Sequence, residues 1–496
     1  MQFLEWIFMA VYGLIVVGTM VAVLLDHRQP AKTMAWMLVL IFLPLLGIIL
    51  YFFFGQNYRK KRMIEQRSLD RLTEQSMIEF LEQPNNSYPK QYESLIKQLA
   101  NQNLSLPFKN NETEIYTSGE DFFLSLLHEI GQAKHHIHLL TYIFEDDSLG
   151  NLVADALIDK AKEGVEVRVI YDDVGCWKVK NKFFERMREG GIDVHSFLSV
   201  KFAAFTSKIN YRNHRKICVI DGSVGFIGGM NIALRYIKGV ESGIWRDTHM
   251  LIRGKAVYAL QQTFLVDWYF VDRTLITGME YYPEICDETC QKSSISSRFS
   301  TLEQGPSRSK MGENCIIQVV TSNPDSPSPD IMQAYIRILL EAKQYVYIES
   351  PYFLPTDTVL LAMKMAAASG VDVRLIVPLH GDSKITEWAS RSYIAEIKDS
   401  GIQIFFYQKG FNHSKLLIAD DSLCSCGSAN VDFRSFENNF EANAFVYDEQ
   451  TAKQMREIFI NDLKSCKNID EMGDFSHRSF IKRLFEAMLR MLAPLL

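Results

Sequence analysis

The sequence lacks features that are typical of zinc-binding proteins and of nucleic-acid-binding proteins. Its 496 residues include only 8 cysteines, no two of them in a Cys-x-x-Cys pair, and no His/Cys cluster has the spacing of a zinc site. The formal net charge is −6, whereas proteins that bind nucleic acid are more often basic. We therefore expect no metal, no cofactor and no nucleic-acid partner.

Long apolar runs are present, and two of them begin the chain. Residues 6–25 and 34–54 carry no charge and are 20 and 21 residues long, so each can cross a bilayer as a helix. A cleaved signal peptide is the alternative for the first run, but no Lys or Arg precedes it and a second run follows at once. The short connection predicts an antiparallel hairpin of two transmembrane helices over residues 1–56.

The basic residues around this hairpin predict the side on which the rest of the chain lies. Four of them, at 59–62, follow the second run, against Arg28 and Lys32 in the connection. By the positive-inside rule, the remainder of the chain faces the cytoplasm. We therefore expect a multi-pass protein of the cell membrane.

The remainder contains one stretch that occurs twice, at 213–231 and 412–430. In each copy a Lys stands two residues after a His, and an Asp five residues after the Lys, followed by a small-residue pair and an Asn. A single copy could be a surface pair, but two copies with the same spacing indicate a duplicated site. These residues are His214, Lys216, Asp221, Gly228, Gly229 and Asn231, and His413, Lys415, Asp420, Gly427, Ser428 and Asn430.

Each residue type in this pattern suits chemistry at a phosphate. A neutral imidazole can act as a nucleophile, a Lys can clamp phosphate oxygens, and an Asp can orient an imidazole. Small residues such as Gly228 and Ser428 let the backbone approach a phosphate, and Asn231 and Asn430 add donors. The apolar residues after each Lys predict a buried strand, on which His and Lys share a face. With two histidines, one can attack phosphorus while the other protonates the leaving alcohol.

The duplication extends beyond the motif, since strand and helix patterns alternate in the same order in both copies. They predict an α/β fold of two homologous halves that share one pseudo-two-fold active site. The last segment is predicted to be an amphipathic helix, and contact with an anionic membrane or plain docking both fit it. The predicted boundaries are a charged helical linker at 57–108, a first half at 109–281, a Ser-rich linker at 282–315, a second half at 316–479 and the amphipathic helix at 480–496.

Two HxKxxxxD motifs in one chain, each followed by G-[GS]-x-N, resemble the phospholipase D superfamily. The resemblance to bacterial cardiolipin synthases is closer, and their membrane segment resembles the N-terminal hairpin. It implies a phosphatidyltransferase that converts two phosphatidylglycerol molecules into cardiolipin and glycerol through a phosphatidyl-histidine, at an anionic lipid bilayer. The segments that carry this resemblance are 212–216, 245–254, 350–357, 410–421 and 429–448.

The resemblance also implies a role for each residue of the motifs. His214 would be the nucleophile and His413 the general acid and base, although near-symmetric motifs leave this order open. By analogy with the family's downstream acidic residue, Asp247 and Glu441 would support the histidines. The remaining roles are stabilisation of phosphate charge, by Lys216, Lys415, Asn231 and Asn430, and orientation of the imidazoles, by Asp221 and Asp420.

The motif alone gives phosphodiester chemistry and leaves the acceptor open. Water would make a membrane phospholipase D that releases phosphatidic acid, serine would give phosphatidylserine, and a nucleic-acid substrate would make a nuclease. The apolar runs and the net charge of −6 argue against the nuclease. A non-catalytic membrane scaffold is the alternative of a different class. It predicts decay of at least one His-Lys-Asp triplet, whereas both are complete.

Overall fold

The structure is a computed structural model that describes most of the chain. The two predicted linkers lie largely outside the described residues, at 57–87 and 286–311, so the statements about them remain predictions. The described residues are 2–25, 30–51, 88–199, 211–240, 243–285, 312–324, 326, 328–473 and 478–495.

The N-terminal apolar runs form three helices, α1 (Gln2–Leu25), α2 (Pro30–Phe42) and α3 (Pro44–Leu50). The second run, predicted as one helix, is interrupted at Leu43, because Pro44 lacks an N–H and disfavours helical backbone at the residue before it. Val23 of α1 and Leu40 of α2 are fully buried in one apolar cluster. Among the described residues, no helix meets the length and hydropathy that a membrane crossing requires.

The strands of the described residues belong to one large sheet and two small two-stranded sheets. In chain order they are β1 (Phe108–Tyr116), β2 (His136–Thr141), β3 (Glu166–Asp172), β4 (Asp193–Phe197), β5 (Ile217–Ile220), β6 (Val224–Gly228), β7 (Ile244–Arg246), β8 (His249–Arg253), β9 (Gly312–Ser322), β10 (Tyr345–Glu349), β11 (Phe353–Leu354), β12 (Asp372–Pro378), β13 (Gln403–Tyr407), β14 (Gly410–Asn412), β15 (Leu416–Ala419), β16 (Leu423–Gly427), β17 (Val431–Asp432), β18 (Glu441–Tyr447) and β19 (Cys466–Asn468).

The helices that follow the N-terminal segment pack against the large sheet or against one another. They are α4 (Glu93–Asn103), α5 (Gly119–Gln132), α6 (Ser148–Lys162), α7 (Asn181–Glu189), α8 (Arg235–Lys238), α9 (Val257–Asp272), α10 (Asp330–Glu341), α11 (Asp357–Ala368), α12 (Lys384–Ile397), α13 (Glu449–Leu463) and α14 (Phe480–Arg490), with short helical turns at Met279–Tyr281, Arg434–Asn438, Ile469–Glu471 and Ala493–Leu495.

The large sheet consists of two halves that mirror each other in strand order. Outward from its centre, the order is β1-β8-β6-β5-β2-β3-β4 on one side and β9-β18-β16-β15-β10-β12-β13-β19 on the other. β1 and β9 pair antiparallel at the centre. The parallel strands β2, β3 and β4 are connected through α6 and α7, the βαβ pattern that the sequence predicted. The predicted α/β fold of two repeated halves is therefore confirmed.

The two halves share an apolar core at the centre of the sheet. Ile217 and Ile252 of the first half lie in one cluster with Ile317 and Leu416 of the second, and all four are buried. Each such side chain contributes about 1.5–3 kcal/mol when it leaves water. Separating the halves would expose all of them, so this core fixes the position of one motif relative to the other.

The structure corrects the prediction for Asp221 and Asp420. Each lies just past the strand that follows its motif Lys, five residues and about 17 Å from that Lys at the rise of a strand. Each has a left-handed backbone, with φ of 51°. Their carboxylates accept three backbone N–H bonds, of 2.8–3.0 Å from residues 134–136 and of 2.7–3.0 Å from residues 343–345. They therefore fix the start of β2 and β10, and the prediction that they orient the imidazoles was wrong.

Replacing Asp420 by Asn should destabilise the fold. Asn tolerates the left-handed backbone but loses the negative charge that three N–H groups share, so we expect a loss of about 1–3 kcal/mol in the free energy of unfolding. Denaturant unfolding measures it, with Asp399→Asn as the control at an exposed position. Equal stability of the two variants would contradict this assignment.

Candidate active site

The two motif histidines lie just ahead of β5 and β15, in segments that cross to the other half. The strands begin one residue after Lys216 and Lys415, so the prediction that His and Lys lie on the strand was wrong. The reason is that the backbone N–H of each motif histidine donates a hydrogen bond to a carbonyl of the other half. The His214 N–H donates to the carbonyl of Phe440 at 2.9 Å, and the His413 N–H donates to that of Arg246 at 2.7 Å.

Each histidine is also held by a carboxylate of the other half. His214 Nδ1 lies 3.1 Å from both carboxylate oxygens of Glu441. His413 Nδ1 lies 2.6 Å from Asp247 Oδ2. Asp247 follows the first motif but contacts the second histidine, and Glu441 does the reverse. The site is therefore complete only when both halves are present.

Small residues at equivalent positions support these carboxylates. Ser428 Oγ donates to Glu441 Oε2 at 2.5 Å, whereas a Cβ on Gly229 would lie 2.1 Å from Asp247 Oδ1. A Cβ on Gly228 would lie 2.5 Å from the Cα of His249 in β8. Gly228 thus makes room for a strand and Ser428 binds a carboxylate, and neither is among the residues that line the cavity described below. Their contact with a substrate stays a prediction.

Two buried arginines brace the crossing segments, and sequence reasoning missed both. Arg215 Nη1 contacts both carboxylate oxygens of Asp267 in α9 at 2.8 and 2.7 Å, and its Nε donates to the Glu441 carbonyl at 3.1 Å. Arg246 Nε donates to Asp462 in α13 at 2.9 Å, and its Nη1 donates to Ser414 Oγ at 2.7 Å. Arg215 therefore ties α9 of the first half to Glu441 of the second half, and Arg246 of the first half ties its own strand to α13 and the motif of the second half.

The histidines open into one cavity of about 280 Å³. It contains the two predicted asparagines as well as an aromatic and polar lining that the motifs did not indicate. Among these, Trp245 and Asn439 each stand two residues before a supporting carboxylate, so an alignment of the two repeats could have identified both as residues of the site. The lining residues are Tyr142, Ile143, Arg212, His214, Asn231, Trp245, Tyr352, Asp382, Ser383, Thr386, His413, Asn430, Asp432, Arg434 and Asn439.

Burial keeps both imidazoles neutral in this state of the site. It lowers the pKa of His214 to about 4, against the opposing attraction of Glu441. Burial and the charge of Lys415 lower the pKa of His413 to about 3. Burial alone would raise the pKa of Glu441 and Asp247, but the histidines and the buried lysines outweigh it and lower both values. An ionised carboxylate beside Nδ1 accepts a hydrogen bond from the Nδ1–H group, which leaves the lone pair on Nε2.

The two motif lysines are buried beside the histidines. Lys216 Nζ donates to the His214 carbonyl at 2.5 Å, and Lys415 Nζ donates to the His413 carbonyl and lies 4.0 Å from Asp247. Burial lowers the pKa of Lys216 to about 7 and that of Lys415 to about 8. An anion bound nearby would raise both pKa values again, so both lysines would then be protonated more readily.

Replacing Lys216 by Met should change how stability depends on pH. Between about pH 7 and 10.5, the folded lysine holds fewer protons than the unfolded one, so its burial cost is greatest at low pH and shrinks as pH rises. The variant should therefore gain stability relative to the parent at pH 7. That gain should shrink by about 3 kcal/mol at pH 9.5.

Denaturant unfolding at the two pH values measures this difference. The control is Lys162→Met, because Lys162 is an exposed lysine with 66% of its side chain accessible. A stability difference for Lys216→Met that stays constant across the two pH values would contradict the assignment.

Two neutral imidazoles on one cavity, each oriented at Nδ1, form a site for phosphodiester transfer, in which one ring attacks and the other moves a proton. The fold that carries it is found in solved structures. The phosphatidylserine synthase of Haemophilus influenzae Rd KW20 has a TM-score of 0.60 at 14% identity, with 81% of this chain and 100% of that chain covered. Together with the match to a PLD-like family model, this fold and site define a phospholipase D-like protein.

Sequence comparisons give the particular family. The family model described as "Cardiolipin synthase, PLD-like domain" matches residues 126–268 and 335–463, and that described as "Phospholipase_D-nuclease N-terminal" matches 9–56. "Cardiolipin synthase 2" of Bacillus cereus is 38% identical over 96% of this chain and 88% of its own. "Cardiolipin synthase" of Clostridium perfringens is 36% identical over 95% and 96%. The chain belongs to the cardiolipin synthase family.

Proposed function

We propose that this chain is a cardiolipin synthase, which transfers a phosphatidyl group from one phosphatidylglycerol to a hydroxyl of another. The observation that carries the proposal is the pair of histidines on one cavity, each oriented by a carboxylate of the other half. The curated relatives, named for this activity, align with nearly the whole chain.

In the first step, Nε2 of His214 attacks the phosphorus of phosphatidylglycerol. A P–N bond forms, the P–O bond to the glycerol headgroup breaks, and His413 as imidazolium gives its proton to the departing oxygen. Burial disfavours that imidazolium in the empty site, and a bound anionic phosphodiester favours it. The products of this step are glycerol and a phosphatidyl-histidine.

In the second step, a hydroxyl of another phosphatidylglycerol attacks the same phosphorus. The now neutral His413 accepts the hydroxyl proton, a P–O bond forms, and the P–N bond to His214 breaks. Cardiolipin leaves and both histidines return to their starting states. Because the two steps together break one P–O ester bond and form another, the overall reaction runs in both directions.

The lysines and the asparagines support the phosphorus centre in this proposal. Lys216 and Lys415 supply positive charge that a bound phosphate would stabilise, since burial leaves their pKa values near 7 and 8. Asn231 lines the cavity with both of its amide atoms engaged by protein partners. Its counterpart Asn430 lines the cavity from the second half.

The cavity also offers acceptors for hydroxyl groups. In the described part of the chain, Asn430 Oδ1 and Asn439 Oδ1 are buried and have no hydrogen-bond partner. Each is an acceptor that a glycerol hydroxyl can satisfy, and leaving it unpaired is costly. This supports an alcohol that carries several hydroxyl groups as headgroup and acceptor.

We place the enzyme in the cell membrane, with residues 1–56 as a two-helix transmembrane hairpin and the catalytic halves in the cytoplasm. The apolar runs at 6–25 and 34–54 and the basic residues at 59–62 support this topology. Residues 57–108 and 282–315 are its linkers, and the halves extend over 109–281 and 316–479. A membrane phospholipase D that uses water, or a scaffold without activity, is the alternative that the product assay separates.

The products formed from labelled phosphatidylglycerol test the function. The purified full chain in mixed micelles should give cardiolipin and free glycerol, and excess glycerol should reverse the reaction. His214→Ala and His413→Ala should each lower the rate by about 10²-fold or more, while His195→Ala, outside the cavity, should not. Phosphatidic acid as the only product would make the chain a hydrolase, and no product at all would favour the scaffold.

The supporting carboxylates give a second test. Glu441→Gln and Asp247→Asn remove the charge that orients an imidazole and stabilises its protonated form, so kcat should fall by about 10²–10⁴-fold while KM changes little. The control is Glu129→Gln, which breaks the ion pair between Glu129 of α5 and Arg253 of β8. A rise in KM with kcat unchanged would contradict the role.

The same preparations identify the nucleophile. Quenching the parent enzyme during turnover and mapping the modified peptide should find the phosphatidyl group on His214. Finding it on His413 would exchange the two histidine roles and leave the rest of the site unchanged.

A further inference from the structure

Helix α14 is oriented with its apolar face outward. The exposed side chains repeat at helical spacing and form one continuous stripe, with a second apolar edge at the turn that follows the helix. A soluble helix normally buries such a stripe. These residues are Phe480, Ile481, Leu484, Phe485, Met488, Met491 and Leu492, between 42 and 80% exposed.

The charged face of α14 points toward the protein instead. Glu486 is 2% exposed and pairs with Arg478 at 2.7 Å. Arg490 pairs with Glu396 of α12 at 2.6 Å, and its guanidinium lies 4.0 Å from the ring centroid of Tyr393. These contacts hold the helix against α12 in the orientation that exposes its apolar stripe.

The exposed apolar surface continues onto α12 and leads to the cavity. Trp388 of α12 packs against Phe485 with ring centroids 4.9 Å apart, and Trp388 and Ile385 are 37 and 48% exposed. The first turn of the same helix reaches the site, because Ser383 and Thr386 line the cavity. One helix therefore connects the apolar surface to the place where the substrate phosphate binds.

We propose that α12 and α14 form a lipid-docking platform, which inserts its apolar stripe into the interface of an anionic bilayer and holds the mouth of the cavity at the lipid surface. The inference rests on the proposed function, since the substrate is then a lipid whose acyl chains stay in the bilayer. Exposed cations at the edge of the platform, Lys384 and Arg483, complement anionic headgroups. An apolar face, flanking cations and a lipid-using cavity on one pair of packed helices favour a bilayer over a second copy of the chain.

The platform is tested by comparing one substrate in two physical forms. The variant Ile481→Ser/Leu484→Ser/Met488→Ser removes apolar area while leaving the ion pairs of α14 in place. With long-chain phosphatidylglycerol in vesicles, its rate should fall about tenfold or more, because each buried aliphatic side chain contributes to insertion. With dihexanoyl phosphatidylglycerol dissolved as monomers, its rate should stay within about twofold of the parent.

A matched control separates the platform from a general loss of apolar surface. Leu124→Ser/Leu152→Ser changes residues of α5 and α6 that are 64 and 51% exposed, as Leu484 is 51% exposed. This control should keep its rate on vesicles. Equal loss in both variants, or loss on monomeric lipid as well, would overturn the proposal. So would a change in oligomeric state without a change in the vesicle rate.

A second measurement does not depend on enzymatic turnover, so its result can contradict the platform without bearing on the proposed function. In vesicles that contain phosphatidylglycerol with brominated acyl chains, the fluorescence of Trp388 in the full chain should be quenched. The part of the quenching that Trp388→Phe removes reports on this residue alone. Trp388 that stays unquenched would overturn the platform, whether or not the parent makes cardiolipin.

Discussion

The hydrogen bond between each motif histidine and a carboxylate of the other half is the constraint on which the rest of the structure depends. It sets the tautomer of both rings, because an ionised carboxylate at Nδ1 leaves the lone pair on Nε2. It also requires the halves to be held rigidly, since a small shift of one against the other would break both pairs. The pairing of β1 with β9, the shared apolar core and the crossing of Arg215 and Arg246 all meet that requirement.

Burial makes the motif histidines and lysines reactive, and it also destabilises the fold. A lysine and a histidine from each half lie close together with little water, and burial lowers the pKa of all four. The ionised Asp247 and Glu441 compensate part of this, yet the site holds fewer protons than its groups would hold in water. An anionic phosphodiester supplies the missing negative charge, so binding of the substrate and protonation of one imidazole favour each other. The rest of the fold must supply the stability that such a site removes.

The sequence predicted the duplication, the α/β fold and the two histidines and two asparagines that line the cavity, because all of them follow from the repeated spacing. It could not predict which carboxylate faces which histidine. Asp221 is five residues from Lys216 along the chain, but a buried strand separates them, whereas Glu441 reaches His214 from more than two hundred residues away. The roles of Gly229 and Ser428 were hidden for the same reason, since both depend on a side chain from elsewhere in the sheet. Local spacing therefore identified the motif, and only the packing of the two halves identified its partners.

The pseudo-two-fold symmetry is broken at the positions that stand two residues before each carboxylate. Trp245 lies 5.4 Å from the ring of His413, centroid to centroid, whereas Asn439 donates to Glu441 at 3.2 Å. An indole beside one imidazole gives it an apolar environment, and an amide beside the partner of the other gives that one a polar environment. Burial lowers the pKa of both imidazoles, to about 3 for His413 and about 4 for His214. Two motifs of almost the same sequence can therefore take different parts in one reaction, because what surrounds them is not duplicated.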